Sequence, residues 1–250
     1  MTPALTRCAV RCSLFASLPI IAAMRFGLVL LLALPLPAQE PALTPFQEHK
    51  ARALLRDKLS CLGCHELDGD GGRTAPSLGT VGQRRSADYI RAMVEDPQGT
   101  VPGAAMPKAL MPPATRDLVI RLLSKNARAG TRPTAAAPSP LSRANVLSAQ
   151  LYSKWCASCH GERGDGDGPN ARYLPVRPAV HASAAAMGIR SDDALFDAIA
   201  GGGAIMGKSA RMPAFGATLT AAEVRSLVGY IRTRCNCSGP AWSRDGGARR

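Results

Sequence analysis

The pattern Cys-x-x-Cys-His occurs twice in the chain, at residues 61–65 and at residues 156–160. Its two cysteines lie on one helical turn, where each can form a thioether bond to a vinyl group of haem c. The histidine that follows then lies beneath the iron, for which neutral imidazole is a good ligand. A thioredoxin-like redox pair and half of a zinc site share the Cys-x-x-Cys spacing. A zinc site would pair its two knuckles within one small unit, whereas these copies begin 95 residues apart, which favours haem attachment.

The size and composition of the chain agree with two haem-centred units. Its 250 residues allow one large domain or two small ones. Aromatic side chains make up only 4% of the sequence, so a domain of about 90 residues has few large groups for its core and is marginal on burial alone. A buried haem would supply the missing apolar volume.

The charge of the chain indicates the class of partner. Lys and Arg number 31 against 18 Asp and Glu, a formal net charge of +13. The basic residues are scattered and no basic run alternates with aromatic residues, which argues against nucleic-acid binding. We therefore expect redox proteins with acidic docking surfaces, or membrane-bound complexes, as partners, and no small-molecule substrate.

Residues 1–39 have the composition of a secretory signal peptide. They contain no acidic residue, and from Met24 onward a short basic start, a brief apolar core and a Pro/Ala-containing end follow one another. Met24 is therefore a candidate true start, with cleavage close to Glu40 and a periplasmic mature protein. Loss of this segment removes three arginines and lowers the formal charge from +13 to +10. A retained leader would instead be a membrane anchor, for which its apolar run is short.

The remainder of the chain divides into two repeats with the same order of elements. In each repeat a helix leads into the cysteine motif, and a polar loop, a short capped helix, a Met-Pro pair and a last helix follow. Residues 128–141 are rich in Ala and Pro, which predicts a semi-extended linker. We therefore predict domains at residues 40–127 and 142–237, and a disordered tail at residues 238–250.

Local end signals predict where several helices begin and end. Thr44 with Gln47, and Thr220 with Glu223, have the spacing of a capping box. Pro97 should stop the short helix of the first repeat, because proline lacks an amide hydrogen.

This combination of motifs resembles the class I cytochrome c family over residues 43–127 and 142–234. In that family Cys-x-x-Cys-His follows the first helix, Met-Pro lies on an extended loop, and the last helix crosses the first. The resemblance implies an all-α fold of two tandem haem domains joined by the Ala/Pro-rich linker, with two covalently bound haem c groups in all. The implied attachment residues are Cys61, Cys64, Cys156 and Cys159, and the implied proximal iron ligands are His65 and His160.

The resemblance also implies that the methionine of each Met-Pro pair is the distal iron ligand, which assigns Met106 and Met212. Met111 also precedes a proline, but it lies directly before a predicted helix and leaves little chain to reach an iron. Met106 is therefore favoured over Met111. Met212 is favoured over Met206 and Met187, because the sequence that follows it matches the family loop.

A proline early in the middle loop of the family accepts a hydrogen bond from the proximal histidine through its carbonyl group. Pro76 matches this position in the first repeat, and Pro178 is favoured over Pro175 in the second. Such a bond would orient the imidazole ring and tune it as a ligand.

A few chemically active side chains remain outside these assignments. His49 is expected on the surface of the first helix, and His181 is a weaker candidate for a distal ligand. Cys8 and Cys12 fall within the leader. Cys235 and Cys237 form Cys-x-Cys, in which a disulfide would be strained, so two thiols, a bridge to a partner and a metal contact stay open.

The sequence thus predicts an exported dihaem cytochrome that transfers single electrons and is not an enzyme. An alternative is the subunit through which electrons enter a dehydrogenase or terminal oxidase complex. A dihaem peroxidase also has two Cys-x-x-Cys-His motifs, but it requires an open distal face on one iron. Because both repeats offer a methionine at that face, the sequence disfavours a peroxidase.

Overall fold

The computed structural model describes residues 42–127 and 144–244. The predicted signal peptide and linker lie outside the described residues. The described chain is almost entirely helical, which confirms the all-α expectation, and one two-stranded hairpin with two residues per strand is its sheet.

Within residues 42–127, the first unit contains five α-helices and the hairpin. Its elements are α1 (Pro45–Asp57), a 3₁₀ turn (Ser60–Gly63), β1 (Glu66–Leu67), β2 (Asp70–Gly71), α2 (Val81–Arg84), α3 (Ala87–Glu95), α4 (Pro97–Thr100) and α5 (Pro113–Leu123). The two strands are antiparallel, with Glu66 opposite Gly71.

The described part of the second unit, residues 144–244, contains six α-helices. Its elements are α6 (Ala144–Trp155), α7 (Ala157–His160), a 3₁₀ turn (Ala171–Tyr173), α8 (Ala184–Gly188), α9 (Asp192–Ile205), α10 (Ala221–Cys235) and α11 (Ala241–Arg244).

Both predicted capping boxes are present and fix the start of a long helix. The Thr44 hydroxyl accepts from the Gln47 amide at 3.2 Å, and the Gln47 side chain accepts from the Thr44 amide at 3.0 Å. Thr220 and Glu223 make the same reciprocal pair at the start of α10. Each box satisfies two amide groups that a helix start would otherwise leave without partners.

Proline acts differently from the prediction at Pro97. The residue follows α3 as expected, but it also opens α4, where Asp96 caps the new helix through the amide of Gly99. Proline suits the first position of a helix because its missing amide hydrogen is not needed there.

A small hydrophobic core lies inside the first unit, where α5 packs against α1 and α3. Its largest fully buried members include Leu55, Leu62 and Val119. The other buried members are Ala51, Leu67, Ile90, Val94, Ile120, Leu122 and Leu123.

The second unit has its own core, where α10 packs against α6 and α9. The rings of Trp155 and Phe215 meet edge to face at 5.9 Å between centroids. Tyr152, Met187 and Leu227 are at most 1% exposed in the same cluster. The buried clusters of the two units share no residue, so each unit has a core of its own.

The C-terminal region is more ordered than the sequence suggested. Cys235 and Cys237 form a disulfide across Asn236, whose left-handed backbone (φ 46°) ends α10, so the two-thiol, partner-bridge and metal alternatives are wrong in this structure. The predicted disordered tail begins at residue 238, and its residues 245–250 lie outside the described residues. Gly239 is buried and residues 241–244 form α11, which follows Pro240.

Across the described ranges no helix is both long enough and apolar enough to span a membrane.

Candidate functional site

The first Cys-x-x-Cys-His motif follows α1 and adopts a tight turn. The amide of His65 donates to the carbonyl of Cys61 at 3.0 Å, which brings the histidine back beside the first cysteine. The Nδ1–H of His65 donates to the Pro76 carbonyl oxygen at 2.7 Å, the contact expected for Pro76. Because a carbonyl only accepts, Nδ1 carries the hydrogen, and Nε2 keeps a lone pair for a metal.

The second motif has the same geometry with a different acceptor. The amide of His160 donates to the carbonyl of Cys156 at 2.9 Å. Its Nδ1–H donates to the Ala179 carbonyl at 2.9 Å, so the assignment of this role to Pro178 is wrong by one residue. The Pro178 carbonyl oxygen instead lies beside Gly166, which has φ 73° and where the β-carbon of any other residue would come within 2.9 Å of that oxygen.

Burial keeps the side chains of both motifs in their neutral forms. It raises the pKa of the Cys61 thiol to about 11 and those of Cys64 and Cys156 to about 12. It also lowers the pKa values of the His65 and His160 rings, against the opposing effect of their carbonyl hydrogen bonds. A thioredoxin-like pair needs a cysteine with a lowered pKa, so these cysteines do not fit that chemistry.

A zinc site is disfavoured by the grouping of the side chains. Within residues 42–127 and 144–244, no three His, Cys, Asp or Glu side chains are grouped so that they could hold a metal ion. All four motif cysteines are free of disulfides. Each motif therefore presents two cysteines and one neutral imidazole, which is the donor set that covalent haem c requires.

The two candidate methionines of the first unit have different surroundings. Met111 packs against the hydrophobic core beside α5. Met106 lies half-buried on the loop before α5, and the side-chain amide of Gln98 donates to its carbonyl at 2.9 Å. Gln98 also donates to the Ala104 carbonyl at 2.8 Å, so it holds the loop on both sides. These surroundings give Met111 a packing role, and the assignment of Met106 as a distal ligand stays a prediction.

The three methionines of the second unit also differ in their surroundings. Met187 is 1% exposed within the core, and Met206 is exposed at the end of α9. Met212 is half-buried and packs against the core, and its carbonyl accepts from the amide of Gly203 at 3.1 Å. Gly202, with φ 78°, passes close to this loop and leaves no room for a side chain. The assignment of Met212 as a distal ligand stays a prediction.

His181 occupies a position that the sequence did not predict. Its ring stacks on the His160 ring at 4.0 Å between centroids and 12° between planes. A ring packed on the proximal candidate cannot lie across the iron from it, so His181 is not a distal ligand. The Tyr152 hydroxyl lies 2.9 Å from His181 Nδ1, and burial lowers the pKa of His181 to about 2. His49 is exposed on α1, as expected.

Comparison with known proteins gives two family matches that together cover both units. Residues 50–129 match the family model for cytochrome c. Residues 147–231 match the family model for subunit III of cbb3-type cytochrome c oxidase. No curated protein matches the chain.

One solved structure is similar over most of the chain, the reducing HAO-like protein complex of Kuenenia stuttgartiensis. It is 19% identical, with 69% of this chain and 79% of that chain covered, at a TM-score of 0.31. This score is too low to support an argument about fold or function.

Both units therefore combine the helical fold, the Cys-x-x-Cys-His turn and a cytochrome c family match. Cytochrome c domains carry haem c, whose iron serves electron transfer. The chain belongs to the class I cytochrome c family, as two cytochrome c domains in tandem.

Proposed function

We propose that the mature protein is an exported dihaem cytochrome that carries single electrons. The observation that supports this most directly is the repeated site, in which a neutral histidine after Cys-x-x-Cys is fixed through Nδ1 and a Met-Pro loop follows. The residues proposed to hold the two haem c groups are Cys61, Cys64, His65 and Met106 in the first unit, and Cys156, Cys159, His160 and Met212 in the second.

Haem c supplies an iron that changes reversibly between the ferrous and ferric states. The protein's own contribution is to hold the ligands still, so that little reorganisation accompanies each electron. The carbonyls of Pro76 and Ala179 fix the two imidazole rings. Gln98 holds the loop of Met106, and the backbone of Gly203 holds that of Met212. A thioether ligand and apolar surroundings favour the ferrous state and raise the potential.

The proposed partners are redox proteins or membrane complexes with acidic surfaces. The formal charge is +13, or +10 without the three arginines of the proposed leader. A positive surface accelerates encounters with acidic partners, and salt weakens that effect. The proposed location is the periplasm.

A second candidate function is that of a subunit through which electrons enter a terminal oxidase. It is supported by the match of residues 147–231 to subunit III of a cbb3-type oxidase. Purification from native membranes under mild conditions separates the two candidates. A stable complex with oxidase subunits would support the second, and an isolated chain would support the free carrier.

The proposed carrier function is tested by exposing the fully reduced, matured protein to carbon monoxide and recording its visible spectrum. We expect no spectral change, because a methionine should close each iron. Mass spectrometry of the same sample should show two covalent haems and a first residue close to Glu40. Carbon monoxide binding at one haem would contradict the His/Met assignment at that haem and would support a peroxidase-like function.

A further inference from the structure

The cysteine motifs of the two units contact each other. The sulfur of Cys159 lies 3.9 Å from the carbonyl oxygen of Gly63, which sits between the two cysteines of the first motif. A β-carbon at Gly63 would collide with the backbone of Arg211, which directly precedes Met212. The first attachment motif is therefore pressed against both the attachment motif and the methionine loop of the second unit.

Asn170 is the centre of this contact. Its side chain belongs to the second unit, is fully buried and makes all its cross-unit hydrogen bonds with residues 73–74 of the first. Its Oδ1 accepts from the amide of Arg73 at 2.8 Å and from that of Thr74 at 3.2 Å, and its Nδ2 donates to Thr74 Oγ1 at 2.7 Å. A buried amide with three such bonds specifies one relative orientation, since any shift would leave buried polar groups without partners.

Charge and shape support the same orientation. Nη2 of Arg211, whose side chain is 7% exposed, donates to the Asp70 carboxylate at 2.7 Å. The Arg73 guanidinium lies 4.8 Å from the centre of the Tyr173 ring. Gly72 lets the backbone approach Asn170, because a β-carbon there would lie 2.8 Å from the Asn170 Cγ.

The methionine loop of the first unit also touches the second unit. The amide of Lys108, two residues after Met106, donates to the hydroxyl of Thr218 at 2.8 Å. Each methionine loop thus has a contact with the opposite unit: Arg211 beside Met212, and Lys108 close to Met106.

We propose that Asn170 and the Arg211–Asp70 pair are positioning residues that lock the two haem domains into one rigid body with their attachment motifs in contact. This inference rests on the proposed dihaem function and adds a fixed geometry to it. The two domains then do not move independently between partners. An external partner must also reach the protein at a surface other than these apposed motif faces, because the opposite unit already occupies them.

The first test is tumbling of the whole matured protein by ¹⁵N NMR relaxation in the reduced, diamagnetic state. We expect one rotational correlation time for the wild type. Asn170→Ala combined with Asp70→Lys should give two shorter correlation times, each close to that of a unit half the size. The matched control is Asp165→Lys, which makes the same charge change at a residue whose ion pair, with Arg163, lies within one unit.

The second readout is electron paramagnetic resonance of the fully oxidised protein. Magnetic interaction between the two ferric centres should broaden the wild-type lines, and the broadening should be lost in the double variant but kept in Asp165→Lys. Independent tumbling of the wild type, or an unchanged correlation time in the double variant, would overturn the lock. Failure of the carrier function would appear separately, as missing haem or carbon monoxide binding.

Discussion

At the scale of single residues, His181 distinguishes the two Cys-x-x-Cys-His sites. It lies two residues after Ala179, the acceptor of the His160 hydrogen bond, and Leu78 lies two residues after Pro76 in the corresponding place. Leu78 packs against the first core, whereas His181 stacks on the His160 ring and meets the Tyr152 hydroxyl. The proposed second proximal ligand, His160, therefore stacks on a polar ring, and the residue at the corresponding sequence offset in the first unit is aliphatic.

Replacing His181 with leucine gives the second unit the side chain that the first already has. We expect His181→Leu to raise the midpoint potential of the second haem and leave the first unchanged. The physical reason is that a neutral, polar imidazole stabilises the extra positive charge of the ferric site, and leucine does not. Spectroelectrochemical titration measures both potentials.

The variant Leu78→His is the reciprocal control. We expect it to lower the midpoint potential of the first haem. Tyr152→Phe keeps the stacked ring but removes the hydroxyl, so its effect should have the same sign as that of His181→Leu and be smaller. A second potential that stays at the wild-type value in His181→Leu would show that the stacked ring has no electronic role.

At the scale of elements, the loop between α4 and α5 contains the two candidate ligand methionines of the first unit, Met106 and Met111. We expect Met106→Ala to open the first iron, so that the reduced variant binds carbon monoxide at one haem. Met111→Ala should keep that iron closed and lower the free energy of unfolding of the first unit by roughly 1–3 kcal/mol, since a half-buried side chain leaves a smaller defect than a fully buried one. The visible spectrum and a denaturant titration separate the two outcomes.

Helix starts that are determined by neighbouring residues could be predicted from the sequence. Contacts that depend on the backbone conformation could not. Thr44 and Thr220 begin their helices as expected because a capping box is decided within four residues. Pro178 was the wrong acceptor because every residue has a carbonyl, so a neighbouring Ala179 can serve equally well. The Cys235–Cys237 disulfide depends on the left-handed turn at Asn236, which the pattern of cysteines does not reveal.

At the scale of the whole molecule, the two units have separate cores and a polar contact. We therefore expect His160→Ala to abolish the spectrum of the second haem and leave that of the first intact. The first core draws its buried members from residues 51–123 and none from the second unit. Absorption spectra of the matured variant show which haem signals remain. His65→Ala is the reciprocal variant and should remove only the signal of the first haem. Loss of both haem signals from either variant would mean that the units depend on each other to fold.

The arrangement of the units was the part that the sequence left open. Asn170 bonds to residues 96 and 97 positions earlier in the chain, and no motif marks either partner. Nothing in the sequence marks Gly63 or Gly72 as the positions that the Arg211 backbone and the Asn170 side chain, respectively, approach closely. Contacts of this kind join residues that are far apart in the sequence and depend on the folded shape of both units. The cysteine motifs, in contrast, can be recognised from five consecutive residues.

The contact between Gly63 and Cys159 has a consequence for the order of assembly. A thioether bond can form only at a cysteine that haem can reach, and the carbonyl of Gly63 lies against the Cys159 sulfur once the units meet. On the proposed function, we therefore expect haem attachment at Cys159 to precede closure of the two halves. The interface contains Asn170 and an ion pair, and such polar surfaces are solvated and resist aggregation before the units dock. This property is compatible with docking as the last step of assembly. The docked arrangement of the two units would then form only after the second cysteine motif has received haem.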